Sequence, residues 1–233
     1  MYISTLELHL IMAKISKVKL KIDKKKFFKF QNKLIIFGSQ SESTSDFYNL
    51  AKALNLEPVC IDNLDELISK PKYQDINYKI LQSFHLSLPI VISVITPKKR
   101  LSATLHAQNL GFKHFTTLIS PSSDVCKSAQ IGEGVFINSS TIIGSNAVLS
   151  NFVTINKGAN IAHDVTINEY THIAPSACIL GSVKVGSLVT IGANATILPK
   201  IIIGDRSVVG AGAVVTRDVL PDQVVSGNPA SDR

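Results

Sequence analysis

From Ile119 onward the hydrophobic pattern of this chain has a period of six. Val125, Ile131, Ile137, Ile143 and Leu149 follow at six-residue steps, and the series runs unbroken to Val215, seventeen consecutive positions of Ile, Val or Leu. Four places after each comes a small or β-branched residue, as at Ala147, Val153, Ala159 and Val165. Immediately after the aliphatic position stand Gly132, Gly144, Gly186, Gly192, Gly204 and Gly210, with Asn138, Asn156 and Asn168 in the same phase. Glycine and asparagine tolerate positive φ, so this phase is expected to mark turns. An α-helix would return its apolar stripe every three or four residues. A six-residue unit of short strand, turn and short strand instead predicts a parallel β-helix with three flat sides, whose coils stack about 4.8 Å apart over a column of aliphatic side chains. Nothing is inserted into the period between 119 and 220, so a regular prism is expected over 118–220, followed by a tail at 221–233.

Upstream the pattern changes. Residues 33–37 (KLIIF) read as a buried strand, residues 47–54 have helical spacing, and apolar stretches at 58–61 and 90–95 read as further strands. A helix with Leu101, Leu105 and Leu110 follows and is closed by Gly111. Strand, helix, strand, helix and strand suggest a small doubly wound α/β domain at 33–117, with ligands expected at the carboxyl ends of its strands; a purely structural lid is the other reading. The turn after the first strand holds only Gly38 where a dinucleotide fingerprint needs three glycines, so NAD is not expected.

Of the 233 residues, 45% are apolar and 18% charged, too apolar for a disordered chain. The net charge of +7 invites a nucleic-acid reading, but its distribution removes it. Residues 1–32 hold eight lysines against Glu7 and Asp23, a balance of +6, which leaves +1 for the rest. This leader is expected to be a solvated, partly disordered extension, although Val18, Leu20 and Ile22 alternate with lysines as a short strand would, and Met12 is a second candidate start. No apolar run reaches the roughly 18 residues that span a bilayer, and Glu7, His9 and the lysines interrupt any signal-peptide pattern. Neither nucleic acid nor membrane insertion is expected. Cys60, Cys126 and Cys178 are odd in number, far apart and without metal-ligand spacing, which fits free thiols in the cytoplasm.

The repeat region contains two histidines, His163 and His172. His163 precedes Asp164 near a corner of the prism, and a carboxylate beside an imidazole fixes its tautomer and raises its basicity, as a general base requires. An exposed His-Asp pair can equally be a solvated turn. One coil onward, eighteen residues later, lies Gly181, where a side chain would obstruct a ligand and where a bare N–H could serve as an oxyanion donor. His172 is half a coil away, so the two histidines meet only if prisms pack side by side; otherwise His172 is a surface or subunit-contact residue.

The segments 156–164 (NKGANIAHD), 172–175 (HIAP), 180–186 (LGSVKVG), 210–215 (GAGAVV), 217–219 (RDV) and 227–230 (GNPA) resemble the bacterial sugar O- and N-acyltransferases with hexapeptide repeats, typified by sialic acid O-acetyltransferases and the N-acetyltransferase of UDP-bacillosamine synthesis. The resemblance covers roughly 33–230 and is most specific over 119–230. It implies a left-handed parallel β-helix after the α/β domain, a homotrimer with acetyl-CoA in grooves between subunits, and a nucleotide-sugar held by the N-terminal domain. It further implies His163 as general base with Asp164 as its acidic partner, Gly181 as oxyanion donor, and His172, Asn156, Gly192 and Gly210 as acyl-donor or substrate contacts. Gly38, Ser39 and Asp62 would face the nucleotide-sugar. In the loop after the first strand, Ser41, Glu42 and Ser43 replace the family's Gly, His and Gly, and Ser120-Pro121 replaces its His-Pro. Glu42 would repel a diphosphate there.

The expectation that follows is transfer of an acetyl group from acetyl-CoA to the amino group of a nucleotide-linked amino-sugar, for surface glycan synthesis and without a metal. O-acetylation of a sugar hydroxyl is the alternative. A non-catalytic trimeric β-helix that binds sugar is a third reading. A zinc enzyme of the γ-carbonic anhydrase type would need three histidines from the repeat, which holds two.

Overall fold

The computed structural model describes residues 32–62 and 76–232, and Lys33–Arg233 forms one compact unit. The expectations made for the leader lie outside the described residues.

The unit begins with β1 (Lys33–Phe37), α1 (Thr44–Ala53), β2 (Glu57–Asp62), β3 (Ile76–Asn77), α2 (Ser83–Leu86), β4 (Ile90–Ile92) and α3 (Pro97–Asn109). The four strands form a parallel sheet in the order β3-β2-β1-β4. Leu34 to Phe37 are fully buried, as a central strand covered on both faces requires. The chain leaves β1 in one direction and returns on its other side at β4, so a topological switch point lies between them. The third foreseen strand is shorter than 90–95, because Ser93 turns aside: its N–H donates to Phe37 O and its hydroxyl to the carbonyls of Phe37 and Gly38. Gly111, at φ 103°, ends α3 as anticipated.

From Leu118 the chain winds as two-residue strands on three parallel faces. Partners are eighteen residues apart, as in Thr154↔His172 and Ile155↔Ile173. The first face carries Phe136–Ile137, Thr154–Ile155 and His172–Ile173; the second carries Ile142–Ile143, Asn160–Ile161 and Cys178–Ile179; the third carries Val148–Leu149, Thr166–Ile167 and Lys184–Val185. The six-residue aliphatic series and the positions four places later fill one core, closed to solvent from Val135 to Val215. Among the described residues no helix is long and apolar enough to cross a membrane.

Two features depart from the sequence reading. The left-handed residues are not the glycines and asparagines after each aliphatic position; they come two places later, at Ser140, Asn146, Phe152, Asp164, Tyr170 and Ser182, for example. The glycines serve close approach instead. A Cβ on Gly144 would lie 2.7 Å from Ala162 C, and one on Gly186 would lie 2.4 Å from Asp205 Oδ1, so these glycines let successive coils stack. The second departure is at the end. Val208↔Val224 pair sixteen residues apart, so the last coil is two residues short and the prism runs past 220 to include Val224–Ser226. The reason is visible at Val219, which bridges to Ile203 and so closes the coil early.

The α/β layer lies on the first face. Leu34, Ile36, Phe47 and Val91 share a cluster with Leu118 and Phe136, and the Phe47 ring stacks on Phe136 at 3.8 Å. At the corner between the third and first faces, Phe152 stacks on Tyr170 at 5.0 Å and meets Phe115 edge-on.

Candidate active site

The corner between the second and third faces carries His163 and Asp164, just after the strand Asn160–Ile161. Asp164 adopts the left-handed conformation, φ 58°, which completes the corner. Its N–H donates to Ser145 O one coil below, and Ser182 N–H above donates to His163 O, so the coils on either side fix the backbone of the pair. Both side chains project outward, 63% and 50% exposed, and His163 Nδ1 lies 2.7 Å from Asp164 Oδ2. The other carboxylate oxygen, Oδ1, accepts from Asn146 Nδ2 at 3.1 Å. The hydrogen bond from His163, and then that from Asn146, hold the Asp164 carboxyl below its ordinary range. An ionised carboxylate only accepts, so His163 Nδ1 carries a proton, and in the neutral ring Nε2 then presents the lone pair.

Gly181 is stacked on this pair, as the coil spacing foresees, but its first role differs from the anticipated one. A Cβ there would lie 2.7 Å from both Cε1 and Nε2 of His163, so the bare Cα is the seat of the imidazole itself. The Gly181 N–H makes no hydrogen bond among the described residues, while its carbonyl accepts from Lys200 N–H. A base with a fixed tautomer beside an uncommitted backbone donor is an arrangement suited to proton abstraction and oxyanion stabilisation. Asn146 was missed in the sequence reading; its signal is its place eighteen residues before Asp164.

The other expected site residues lie elsewhere in the chain. Asn156 is at the corner between the first and second faces, where its Oδ1 accepts from Lys157 N–H at 2.8 Å and Asn138 Nδ2 at 3.1 Å. Asn138 Nδ2 and Lys157 Nζ both reach Asp46 on α1, so this ladder ties the α/β layer to the prism. Gly192 and Gly210 follow in the same column, two and three coils on, and a Cβ on either would strike the coil above. His172 is on the first face and 8% exposed, covered within its own chain; the surface position considered for it is therefore incorrect, because the α/β layer reaches this far along the face. Burial, and then the Arg100 charge, push its imidazole down to about 4.

At the end of β1, Gly38 and Ser39 N–H both donate to Ile61 O. Ser41 and Ser43 hydroxyls meet at 2.8 Å, Ser43 Oγ donates to Ser93 O at 2.5 Å, and Thr44 Oγ1 lies 3.1 Å from Ser93 Oγ. Hydroxyls thus fill the crevice between β1 and β4. Ser39, just after β1, and Asp62, at the end of β2, are both buried.

Residues 182–217 match the family model described as bacterial transferase hexapeptide (six repeats). None of the curated proteins matches the chain in sequence. Among solved structures, it is similar to the acetyltransferase domain of PglB from Neisseria gonorrhoeae FA1090 in complex with acetyl coenzyme A, at 28% identity and TM-score 0.78 over 87% of this chain and 99% of that one. It shares its fold with a histidine-to-alanine mutant of GDP-perosamine N-acetyltransferase from Caulobacter crescentus in complex with CoA and GDP-perosamine, at 23% identity and TM-score 0.77 over 87% and 97% of the two chains. The same holds for WeeI from Acinetobacter baumannii AYE, at 24% identity and TM-score 0.76 over 86% and 99%. With its α/β layer, its left-handed β-helix of hexapeptide coils and these likenesses, the chain is similar to the bacterial hexapeptide-repeat sugar acyltransferases in fold and, in the PglB acetyltransferase domain, in sequence.

Proposed function

We propose that the protein transfers an acetyl group from acetyl-CoA to the amino group of a nucleotide-linked amino-sugar, with His163 as general base. The observation that carries the reading is the His163–Asp164 pair, 2.7 Å apart at an exposed corner, with the imidazole seated on Gly181. His163 Nε2 takes a proton from the acceptor amine as its nitrogen attacks the thioester carbonyl. The Gly181 N–H steadies the oxyanion of the tetrahedral intermediate, and the carbon–sulfur bond breaks to release the CoA thiolate. A thiol with a pKa of about 8.5 is a competent leaving group without a metal. Acetyl-CoA is the donor bound by the PglB domain, and the acceptor class rests on the resemblance over residues 119–230. Asn156, Gly192 and Gly210 lie on other parts of the prism, so their proposed contacts to donor or acceptor are made across subunits of a cytoplasmic homotrimer, whereas the contact proposed for His172 is made from the seam between the α/β layer and the prism of its own chain, where it is 8% exposed.

One observation favours a second reading, O-acetylation of a sugar that carries no diphosphate. The amides of Gly38 and Ser39 are already committed to Ile61 O, and Glu42 stands exposed beside them, so contacts of a nucleotide with Gly38, Ser39 and Asp62 would need the loop to open.

Release of free CoA, followed with a thiol reagent, tests direct transfer. With acetyl-CoA and a panel of UDP-, GDP- and CMP-linked amino-sugars alongside free sugars, release is expected only when an acceptor is present. Equal release into water would count against a ternary complex, and binding of acetyl-CoA with no release on any acceptor would favour a non-catalytic protein.

A further inference from the structure

Arg100, on α3, is 1% exposed. Its guanidinium donates to carbonyls on two segments: Nη1 to Ile95 O at 2.6 Å and Val94 O at 3.4 Å in the α/β layer, and Nη2 to Tyr170 O at 2.5 Å and Thr171 O at 3.1 Å on the prism. No carboxylate is among these partners, and its Nε is buried without a hydrogen bond among the described residues. A buried guanidinium with neutral partners only is costly, and a bridge between two layers could be made by an uncharged donor. The cation therefore has a consequence beyond bridging.

The residue next in sequence to the gripped carbonyls is His172. Its Nδ1 is likewise buried with no partner among the described residues, so no hydrogen bond from that nitrogen sets the ring. What places the ring is its backbone and its walls. The backbone is held from below by pairing with Thr154 and, immediately before it, by Arg100. The titratable groups facing this seam are Arg100 from α3 and Tyr170 from the corner, with Glu133 and Glu169 acting on Tyr170 from the outside.

We infer that Arg100 is a positioning residue for His172, holding the Tyr170–Thr171 backbone so that the imidazole keeps its place in the seam between the α/β layer and the prism. Two properties of Arg100 act together. Its fork spans carbonyls that a single ammonium could not reach at once, and its charge opposes protonation of the neighbouring ring. The inference rests on the proposed reading only where it concerns catalysis, because His172 there contacts the acyl donor or the acceptor. A neutral, fixed ring can offer that contact unchanged through neutral pH.

The two properties separate in two variants. Arg100→Lys keeps the charge and loses the fork; Arg100→Met loses both. In the full-length protein, histidine-selective NMR, with the His172 signal identified by its loss in His172→Gln, should show a midpoint that rises from about 4 in Arg100→Met, while burial, the larger cause, still keeps it low, and that does not rise in Arg100→Lys. Both variants should lose roughly tenfold in kcat/KM at neutral pH through misplacement of the ring. Arg100→Met alone should gain an acidic limb in its pH profile, and in a His172→Gln background neither substitution should cost anything further. Should Arg100→Met fail to fold, Arg100→Lys still decides: near-normal rates in it would overturn the inference. So would an unchanged His172 titration in folded Arg100→Met, or the same loss of rate with and without His172. If the protein transfers no acetyl group at all, the functional reading fails while the titration still judges the role of Arg100.

Discussion

His163→Ala is expected to lower kcat by about 10²- to 10⁴-fold while leaving the KM for acetyl-CoA near its original value. The direction follows from the site. Nε2 is the one ring nitrogen free to accept a proton, since Nδ1 is committed to Asp164 Oδ2. Removing the ring leaves the coil backbone untouched, because Asp164 N–H and His163 O keep their bonds to the coils below and above. The side chain is 63% exposed, so the unfolding midpoint should move by no more than about 2 °C. Steady-state rates and a thermal melt on one preparation check both halves. A variant that retains most of its turnover would remove His163 from the mechanism; one that loses activity together with its fold would say nothing for a base and would argue for a structural residue. The His163→Asn variant then separates the cases, because it keeps a polar group at the corner with no basic nitrogen.

The second large effect is expected at Gly181. Its backbone does not lie in the left-handed region, so alanine is tolerated by the chain itself, and the cost falls on the neighbour. An added methyl 2.7 Å from Cε1 and Nε2 forces the imidazole to swing away. That motion breaks its alignment with Asp164 and moves the base relative to the Gly181 N–H. A misplacement of about 1 Å costs on the order of 10²-fold in rate, so Gly181→Ala should approach the defect of His163→Ala with a normal melting temperature. A crystal structure of the variant would show the ring displaced. Full activity with the ring unmoved would contradict both the seat and the oxyanion role.

The prism was legible because its physical cause is local and repeated. Each coil needs the same inward aliphatic at the same phase, so the period survives in one sequence. The His163–Asp164–Gly181 stack was legible for the same reason, once eighteen residues were equated with one coil. Asn146 obeys the same arithmetic and could have been found with it. The phase of the turns was misread because glycine answers two demands, positive φ and close approach, and at Gly144 and Gly186 the second operates. Leu188 and Tyr170 carry positive φ with bulky side chains, which no propensity rule would assign. The burial of His172 depends on where α3 and β1 settle on the first face, a contact between segments some 70 residues apart that leaves no local mark. The shortened last coil does leave one, since the aliphatic series stops at Val215, but its size is set by the pairing of Val224 with Val208.

The closed β1 loop and the intact His163 corner pull the acceptor assignment in different directions, and the product resolves them. The purified protein, given acetyl-CoA and a 4-amino-sugar nucleotide, should yield a product whose NMR spectrum carries an acetyl group on the sugar nitrogen, formed at a rate that collapses in His163→Ala. An acetyl ester on a sugar hydroxyl, or no acetylated sugar under conditions where acetyl-CoA binds, would contradict the account.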